Sequence, residues 1–274
     1  MLHETNISFI GSGNMAEAMI KGLLSKALID KSCLMASDPL PERGRTLQER
    51  YGLRSTVDNK QAVQQANIVV LSVKPQVLPK VLLDLDGAIR EDALVLSIVA
   101  GATLTMISEG LHQRQVVRVM PNTPAMIGQG MSVWMATAEV TEQQKEQARL
   151  LLQALGEEIE VHDEDYLDMA TALSGTGPAY VFLFMEALID AGVHLGFSRR
   201  IAQQLVLQTM QGSVAFARQS AAHPAELRNM VTSPGGTSAE ALYQLEKGGI
   251  RTVLSKAVWA AYQKSRYLGG LNHK

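Results

Sequence analysis

Residues 7–18 read Ile-Ser-Phe-Ile-Gly-Ser-Gly-Asn-Met-Ala-Glu-Ala, and no other stretch restricts the fold of this chain as strongly. An apolar run of β-branched and aromatic side chains stops at Gly11. The spacing G-x-G-x-x-A follows as Gly11, Gly13 and Ala16, and a helical pattern begins at once with Ala18, Met19, Gly22 and Leu23 on its apolar side. Strand, glycine turn and helix in that order form the fingerprint of a dinucleotide-binding βαβ unit. Gly11 permits the tight turn, Gly13 lets the backbone approach a pyrophosphate, and Ala16 keeps the helix near the strand. Unpaired N–H groups and the positive dipole end at the helix start favour the anion. The bland alternative is a glycine turn that binds nothing; its place directly after a strand favours the nucleotide.

The 274 residues suffice for one large domain or two smaller ones. A net charge of −2 offers no basic face for nucleic acid, and no such partner is expected. Cys33 is the only cysteine, which excludes an internal disulfide and a cysteine metal cluster, and it reads as a small buried hydrophobe. No basic region, apolar stretch and cleavage site precede the first strand, so no signal peptide is expected. The most apolar later segment, Ala179–Phe197, carries Glu186, Asp190 and His194, which argues against a membrane span. Those three share one helix face at i, i+4 and i+8, and read as a polar edge rather than a metal stripe. No metal is expected, and the compartment expected is the cytoplasm.

The first half alternates strands and helices. Apolar runs lie at Ile7–Ile10, Cys33–Ala36, Ile68–Val73, Leu94–Val99 and Val116–Met120, with helical or mixed segments such as Pro41–Tyr51 and Thr103–Leu111 between them. This pattern predicts a parallel sheet with right-handed crossovers. Met131–Met135 and Glu158–His162 are further strand candidates, flanking a helix over Thr141–Leu155 with Thr141 as N-cap and Gly156 as its stop. After Asp163 the texture becomes helical: Tyr166–Leu173, Ala179–Leu195, Arg199–Arg218, Pro224–Met230, Ala239–Lys247 and Ile250–Leu268. Ser198 and Pro224 suit helix starts, Gly248 and Gly269 suit helix ends, and the basic end Lys264–Lys274 reads as a frayed tail. The expected architecture is α/β: a Rossmann-type doubly wound sheet over residues 1–162, then an all-α domain over residues 163–274. Helices this apolar need more burial than a small domain offers, and a dimer interface would supply it.

Ligands of an open parallel sheet sit beyond the C-terminal ends of its strands. Ser72-Val73-Lys74-Pro75, Ala100-Gly101 and Met120-Pro121-Asn122-Thr123-Pro124 fall there. Lys74 is placed to meet phosphate or the nicotinamide amide, or else is a solvated loop lysine. Asn122 and Thr123, between two prolines, either present short polar groups to a ligand or make a simple turn. Two glycine-rich helix starts follow, Leu173-Ser174-Gly175-Thr176-Gly177-Pro178-Ala179-Tyr180 and Ser233-Pro234-Gly235-Gly236-Thr237-Ser238. Free amides with Ser and Thr hydroxyls make a carboxylate receptor without formal positive charge, and two such turns exceed what capping requires.

The combination FIGSGNMAEAMIKGL, SVKPQ, VMPNTP, LSGTGPAY and SPGGTS resembles the pyrroline-5-carboxylate reductase family along essentially the whole chain. The resemblance implies reduction of the cyclic imine carboxylate L-1-pyrroline-5-carboxylate to L-proline by NAD(P)H, the last step of proline biosynthesis. It implies that Ile10, Gly11, Ser12, Gly13, Asn14 and Met15 cradle the pyrophosphate and that Asn59 lies near the adenosine. It further implies that Ser72–Pro75 and Ala100-Gly101 line the dinucleotide, and that Met120–Pro124 border the nicotinamide. Ser233, Gly235, Gly236, Thr237 and Ser238 should hold the substrate carboxylate. Family members are generally dimers with interleaved C-terminal helices, often assembled into decamers.

Ser37-Asp38 ends the second strand where the ribose 2′ position is read. An acid there accepts ribose hydroxyls and repels a 2′-phosphate, while Arg43 and Arg45 offset it and Ser37 can donate a bond. The reading is use of both coenzymes, with NADP(H) favoured over NAD(H). The nucleotide supplies the hydride, so the protein must chiefly place the imine and exclude water. Ser238, Thr237, Thr176 or a water they hold are the groups for the ring nitrogen. The competing readings are a related imine or 3-hydroxyacid reductase and a non-catalytic NADP-binding sensor. The absence of lysine between Lys145 and Lys247 counts against the hydroxyacid enzymes, and the two hydroxyl–glycine turns count against the sensor.

Overall fold

The computed structural model describes residues 2 and 4–270. Eight strands form one sheet in the order β3-β2-β1-β4-β5-β6-β7-β8. They are β1 (Ile7–Ile10), β2 (Leu34–Ser37), β3 (Arg54–Thr56), β4 (Ile68–Leu71), β5 (Leu94–Ser97), β6 (Val116–Met120), β7 (Gly130–Ala136) and β8 (Gly156–Glu160). Strands β1 to β6 run parallel, and the order reverses between β1 and β4, which makes a crevice beyond their C-terminal ends. Every residue of β1, β4 and β5 is buried, as a parallel sheet covered on both faces requires.

Alternate side chains feed two cores. Phe9, Val70 and Leu96 pack on one face with α1 (Asn14–Ser25), α2 (Pro41–Tyr51) and, after α3 to α5, α6 (Glu142–Gln153). Ile10, Val69 and Val95 pack on the other with α3 (Asn59–Val63), α4 (Leu78–Leu85) and α5 (Leu104–Leu111). Thr141 caps α6 in a full capping box with Gln144.

Five sequence expectations change. The sheet is not wholly parallel: β7 runs antiparallel to β6, because it returns through the tight Thr123–Ile127 turn rather than through a crossover helix. Strand β3 had no apolar run to announce it. Gly156 is not a helix stop; α6 is capped at Ala154, and Gly156 opens β8 at φ +146°, where a Cβ would lie 2.2 Å from the Gly130 carbonyl oxygen. The helix expected over Tyr166–Leu173 divides into α7 (Asp165–Ala170) and a π-helical turn, Thr171–Gly175. Lys264–Leu268 is no frayed tail, since it ends an ordered helix with Ser265 buried; residues 271–274 lie outside the described residues.

Packing divides the described residues into two compact units, one up to residue 176 together with 261–270, the other residues 177–260. The second unit holds α8 (Gly177–His194), α9 (Arg199–Gln219), α10 (Pro224–Met230), α11 (Thr237–Lys247) and the first part of α12 (Ile250–Leu268). Helices α8 and α9 form a hairpin that closes where a Cβ on Gly192 would lie 3.0 Å from that of Ala202. Ser198 caps α9, and Asp190 pairs with Arg199 at 2.7 Å. Among the described residues of this unit, Ala202 is the only buried hydrophobe, whereas Leu183 and Leu195 are 65% and 81% exposed. Helices this apolar, in a unit with so little core of its own, lack a partner surface.

Candidate active site

The glycine turn is built as its spacing requires. Gly11 has φ +89°, and a Cβ there would come within 2.9 Å of the Ser72 carbonyl and of Val73. Gly13 is the opposite case: it has ordinary extended backbone, φ −65° and ψ −176°, and nothing lies within 4 Å of its Cβ position. It is the N-cap of α1 and supplies no side-chain hydrogen bond, so the first amides of the helix await another acceptor. The Ser12 hydroxyl is buried without a hydrogen-bond partner among the described residues. An open cradle, uncapped amides and an orphaned hydroxyl fit a phosphate group. Asn14 is exposed and Met15 half-buried at the helix start.

The sequence reading did not foresee how this turn is braced. Asp38 follows β2 and accepts the Ser12 amide at 2.9 Å and the Leu40 amide at 3.0 Å on separate oxygens. Arg43 Nε donates to the Ser12 carbonyl, and its guanidinium also reaches Glu17, which accepts from Arg50 and Tyr51 as well. Burial raises the Glu17 carboxyl pKa, but bonds from Arg43, Tyr51 and Arg50 outweigh it and hold the group below the usual carboxylate range. Arg43 is therefore a clamp on the loop, while Arg45 is exposed and only 3.9 Å from Glu42. Ser37 donates to Asn59 Oδ1 at 2.7 Å, and Asn59 Nδ2 donates to Asp84 at 3.0 Å.

The other expected segments follow their strands. Ser72 N–H donates to the Ile10 carbonyl and its hydroxyl to that of Gly11 at 2.6 Å, which ties the β4 turn to the glycine turn. Lys74 and Pro75 are exposed and Val73 half-buried. Ala100 is exposed; Gly101 has φ +76°, and its Cβ position is 3.2 Å from the Leu268 backbone. Asn122 donates to the Ser174 carbonyl at 3.1 Å and accepts the Met131 amide at 2.9 Å, so its amide joins β7 to the π-helical turn. Thr123 is exposed. Gly175 packs on Met120, whose terminal methyl would be 2.6 Å from a Cβ. The amide and hydroxyl of Thr176 both donate to the Thr171 carbonyl at 2.8 Å.

In the second unit, Gly235 has φ +69°, and a Cβ on Gly236 would strike the Ser233 hydroxyl at 2.5 Å. The Gly236 amide donates to the Ser233 carbonyl at 3.0 Å and closes the turn. Gly236 caps α11 without a side chain. Among the described residues none hydrogen-bonds the hydroxyls of Thr237 or Ser238. Exposed Ser233 and Thr237 and half-buried Ser238 thus stand at the start of an eleven-residue helix, where hydroxyls and free amides have the chemistry to accept an anion without formal charge.

A buried polar cluster lies in the first unit. Arg118 on β6, with its side chain 5% exposed, pairs with Glu164 at 2.7 Å and approaches Asp168 at 3.5 Å; Asp168 accepts from Ser265 at 2.6 Å. The signal for it in the sequence was one arginine inside the apolar run Val-Val-Arg-Val-Met.

A family model described as "Pyrroline-5-carboxylate reductase dimerisation" matches residues 164–268, and one described as "NADP oxidoreductase coenzyme F420-dependent" matches residues 6–101. The pyrroline-5-carboxylate reductase of Pseudomonas aeruginosa is 42% identical over 96% of this chain and 96% of its own. The solved pyrroline-5-carboxylate reductase of Coxiella burnetii superposes with a TM-score of 0.90 at 36% identity, over 96% of this chain and 98% of its own. That of Plasmodium falciparum, with NADP bound, gives 0.89 at 33% identity, over 97% and 99%. With full-length relatives at this identity and a fold and glycine turn to match, the chain belongs to the pyrroline-5-carboxylate reductase family.

Proposed function

We propose that the chain reduces L-1-pyrroline-5-carboxylate to L-proline with a reduced nicotinamide dinucleotide. The observation that carries this reading is the pairing of an uncapped, open glycine turn at β1 with full-length kinship to enzymes of that name. Gly11 to Met15 hold the pyrophosphate through the first amides of α1 and the Ser12 hydroxyl, and Ser72–Pro75, Ala100-Gly101, Asn122 and Thr123 line the rest. Both NADPH and NADH are used, with NADPH favoured. In support, the Asp38 carboxylate is already held by two amides, and a Plasmodium falciparum relative carries NADP.

When bound at this turn, a reduced dinucleotide would supply the hydride that the imine carbon accepts. The α11 amides with Gly235, Gly236 and Thr237 take the substrate carboxylate. With Thr237 given to the carboxylate, Ser238 is the group we assign to hold the proton at the ring nitrogen; its hydroxyl has no partner among the described residues, whereas that of Thr176 is engaged by Thr171. The apolar helices pair with a second copy. Within Asp165–His194 an 18-residue stretch reaches a mean hydropathy of 1.4, enough by length and composition to span a membrane. Glu186 and Asp190 within it, and the dimerisation model that covers it, favour a protein partner over lipid.

Purified protein mixed with NADPH and racemic pyrroline-5-carboxylate should oxidise the coenzyme and release L-proline, more slowly with NADH. Binding of NADPH without turnover would refute the reductase reading and favour a different imine or a sensor.

A further inference from the structure

The buried Arg118 cluster grips the Ala100-Gly101 turn from both sides. On one side, Glu164 accepts from Arg118 at 2.7 Å and, through the same oxygen, from the amide of Leu104, the first residue of α5 after that turn, at 2.8 Å. On the other, Asp168, 1% exposed, faces Arg118 and accepts from Ser265. Ser265 begins the last turn of α12: its carbonyl accepts the Gly269 amide at 3.1 Å. The backbone of Leu268, in that same turn, lies 3.2 Å from where a Gly101 side chain would start. One guanidinium on β6 thus fixes the start of α5 and the end of α12, and Gly101 sits between them.

The placement also explains the composition. A buried arginine needs full pairing, or the remaining charge is costly. Here its two carboxylates are each shared with a backbone or hydroxyl donor at the edge of the nucleotide crevice. Strand β5 lies on the β4 side of the switch point, so its turn serves the nicotinamide half of a dinucleotide.

We propose that Arg118, Glu164, Asp168 and Ser265 are positioning residues that hold the Ala100-Gly101 turn against the nicotinamide half of the coenzyme; this rests on the nucleotide site proposed above. Among the described residues the relay's hydrogen bonds run to Leu104 and among its own members, so its loss should discriminate between the whole coenzyme and its adenosine half. Ser265→Ala removes one bond and leaves the ion pair in place. Glu164→Gln, on the less buried side chain, loosens the other arm.

The test is calorimetric titration of full-length wild type, both variants and Gly13→Ala with NADPH and with 2′-phospho-AMP. Each relay variant should raise the Kd for NADPH about fivefold and leave that for 2′-phospho-AMP within about twofold. If Ser265→Ala fails to fold, Glu164→Gln decides alone. Unchanged NADPH affinity, or equal weakening of both ligands, overturns the relay. If Gly13→Ala weakens NADPH while the relay variants do not, the relay alone falls. If Gly13→Ala has no effect on NADPH, the nucleotide site falls and the relay with it.

Discussion

Two glycines two residues apart should respond to the same substitution in opposite ways. Gly13 has φ −65°, open to any residue, and a Cβ there meets nothing within 4 Å. Gly13→Ala restricts the unfolded chain, worth about 0.4–1 kcal/mol, and replaces a fair N-cap by a poor one, which costs a similar amount. Net stability should stay within about 0.5 kcal/mol and Tm within about 2 °C. In the nucleotide site proposed above, the new methyl stands where the backbone approaches the pyrophosphate, so NADPH affinity should fall about tenfold, or ~1.4 kcal/mol. Gly11 has φ +89°, and its Cβ would lie 2.9 Å from both the Ser72 carbonyl and Val73. Backbone strain of about 1–3 kcal/mol and overpacking of about 1–3 kcal/mol add up in Gly11→Ala. That variant should lose roughly 5 °C or more in Tm, whatever its ligand. Thermal melts and NADPH titrations of both variants make the comparison. The reasoning is refuted if Gly13→Ala binds NADPH as wild type does, or if Gly11→Ala melts no lower than Gly13→Ala.

Ser238→Ala should lower kcat/KM at least about tenfold while NADPH affinity is unchanged, and wild-type kinetics would remove Ser238 from the site. Glu17 is held below its ordinary pKa, so its contribution to stability is complete above the unfolded carboxylate value and is lost as pH falls through the folded value. Acid melts of wild type should therefore steepen below about pH 4.3, and Glu17→Gln should flatten that slope; identical slopes would contradict the clamp. Leu183, 65% exposed in the single chain, should be covered by a second copy. Leu183→Asp should reduce the assembly measured by light scattering, and an unchanged mass would place that face outside the interface.

What could be read from the residues was whatever is local. The strand–glycine–helix order at Gly11 to Ala16 and the N-cap at Thr141 are complete within a few residues, and both stand where the spacing put them; that Gln144 completes a capping box with Thr141 came only from the structure. Long apolar helices declared themselves by length. Strand β3 is three polar residues held by its neighbour β2, and nothing in Arg-Ser-Thr announces a strand without that neighbour. The direction of β7 is likewise absent from its alternation, because a strand looks the same read either way. At the candidate site, segments after β1, β4, β5 and β6 were legible because the fold rule places ligands there. The bracing was not: Arg43 read only as a charge offsetting Asp38, and its ties to Ser12 and Glu17 depend on how α2 packs on α1. Ser265 was hidden inside a basic stretch, and its partner Asp168 lies 97 positions away.

That distance has a consequence for the birth of the molecule. The first compact unit includes residues 261–270, which are translated only after the whole of 177–260. Until then, Asp168 waits without its serine and Gly101 without the helix end beside it. A chain emerging from the ribosome can assemble most of its sheet early. The crevice beyond its strands is completed late, when the last turn of α12 arrives beside Gly101 to close a structure begun at the first strand.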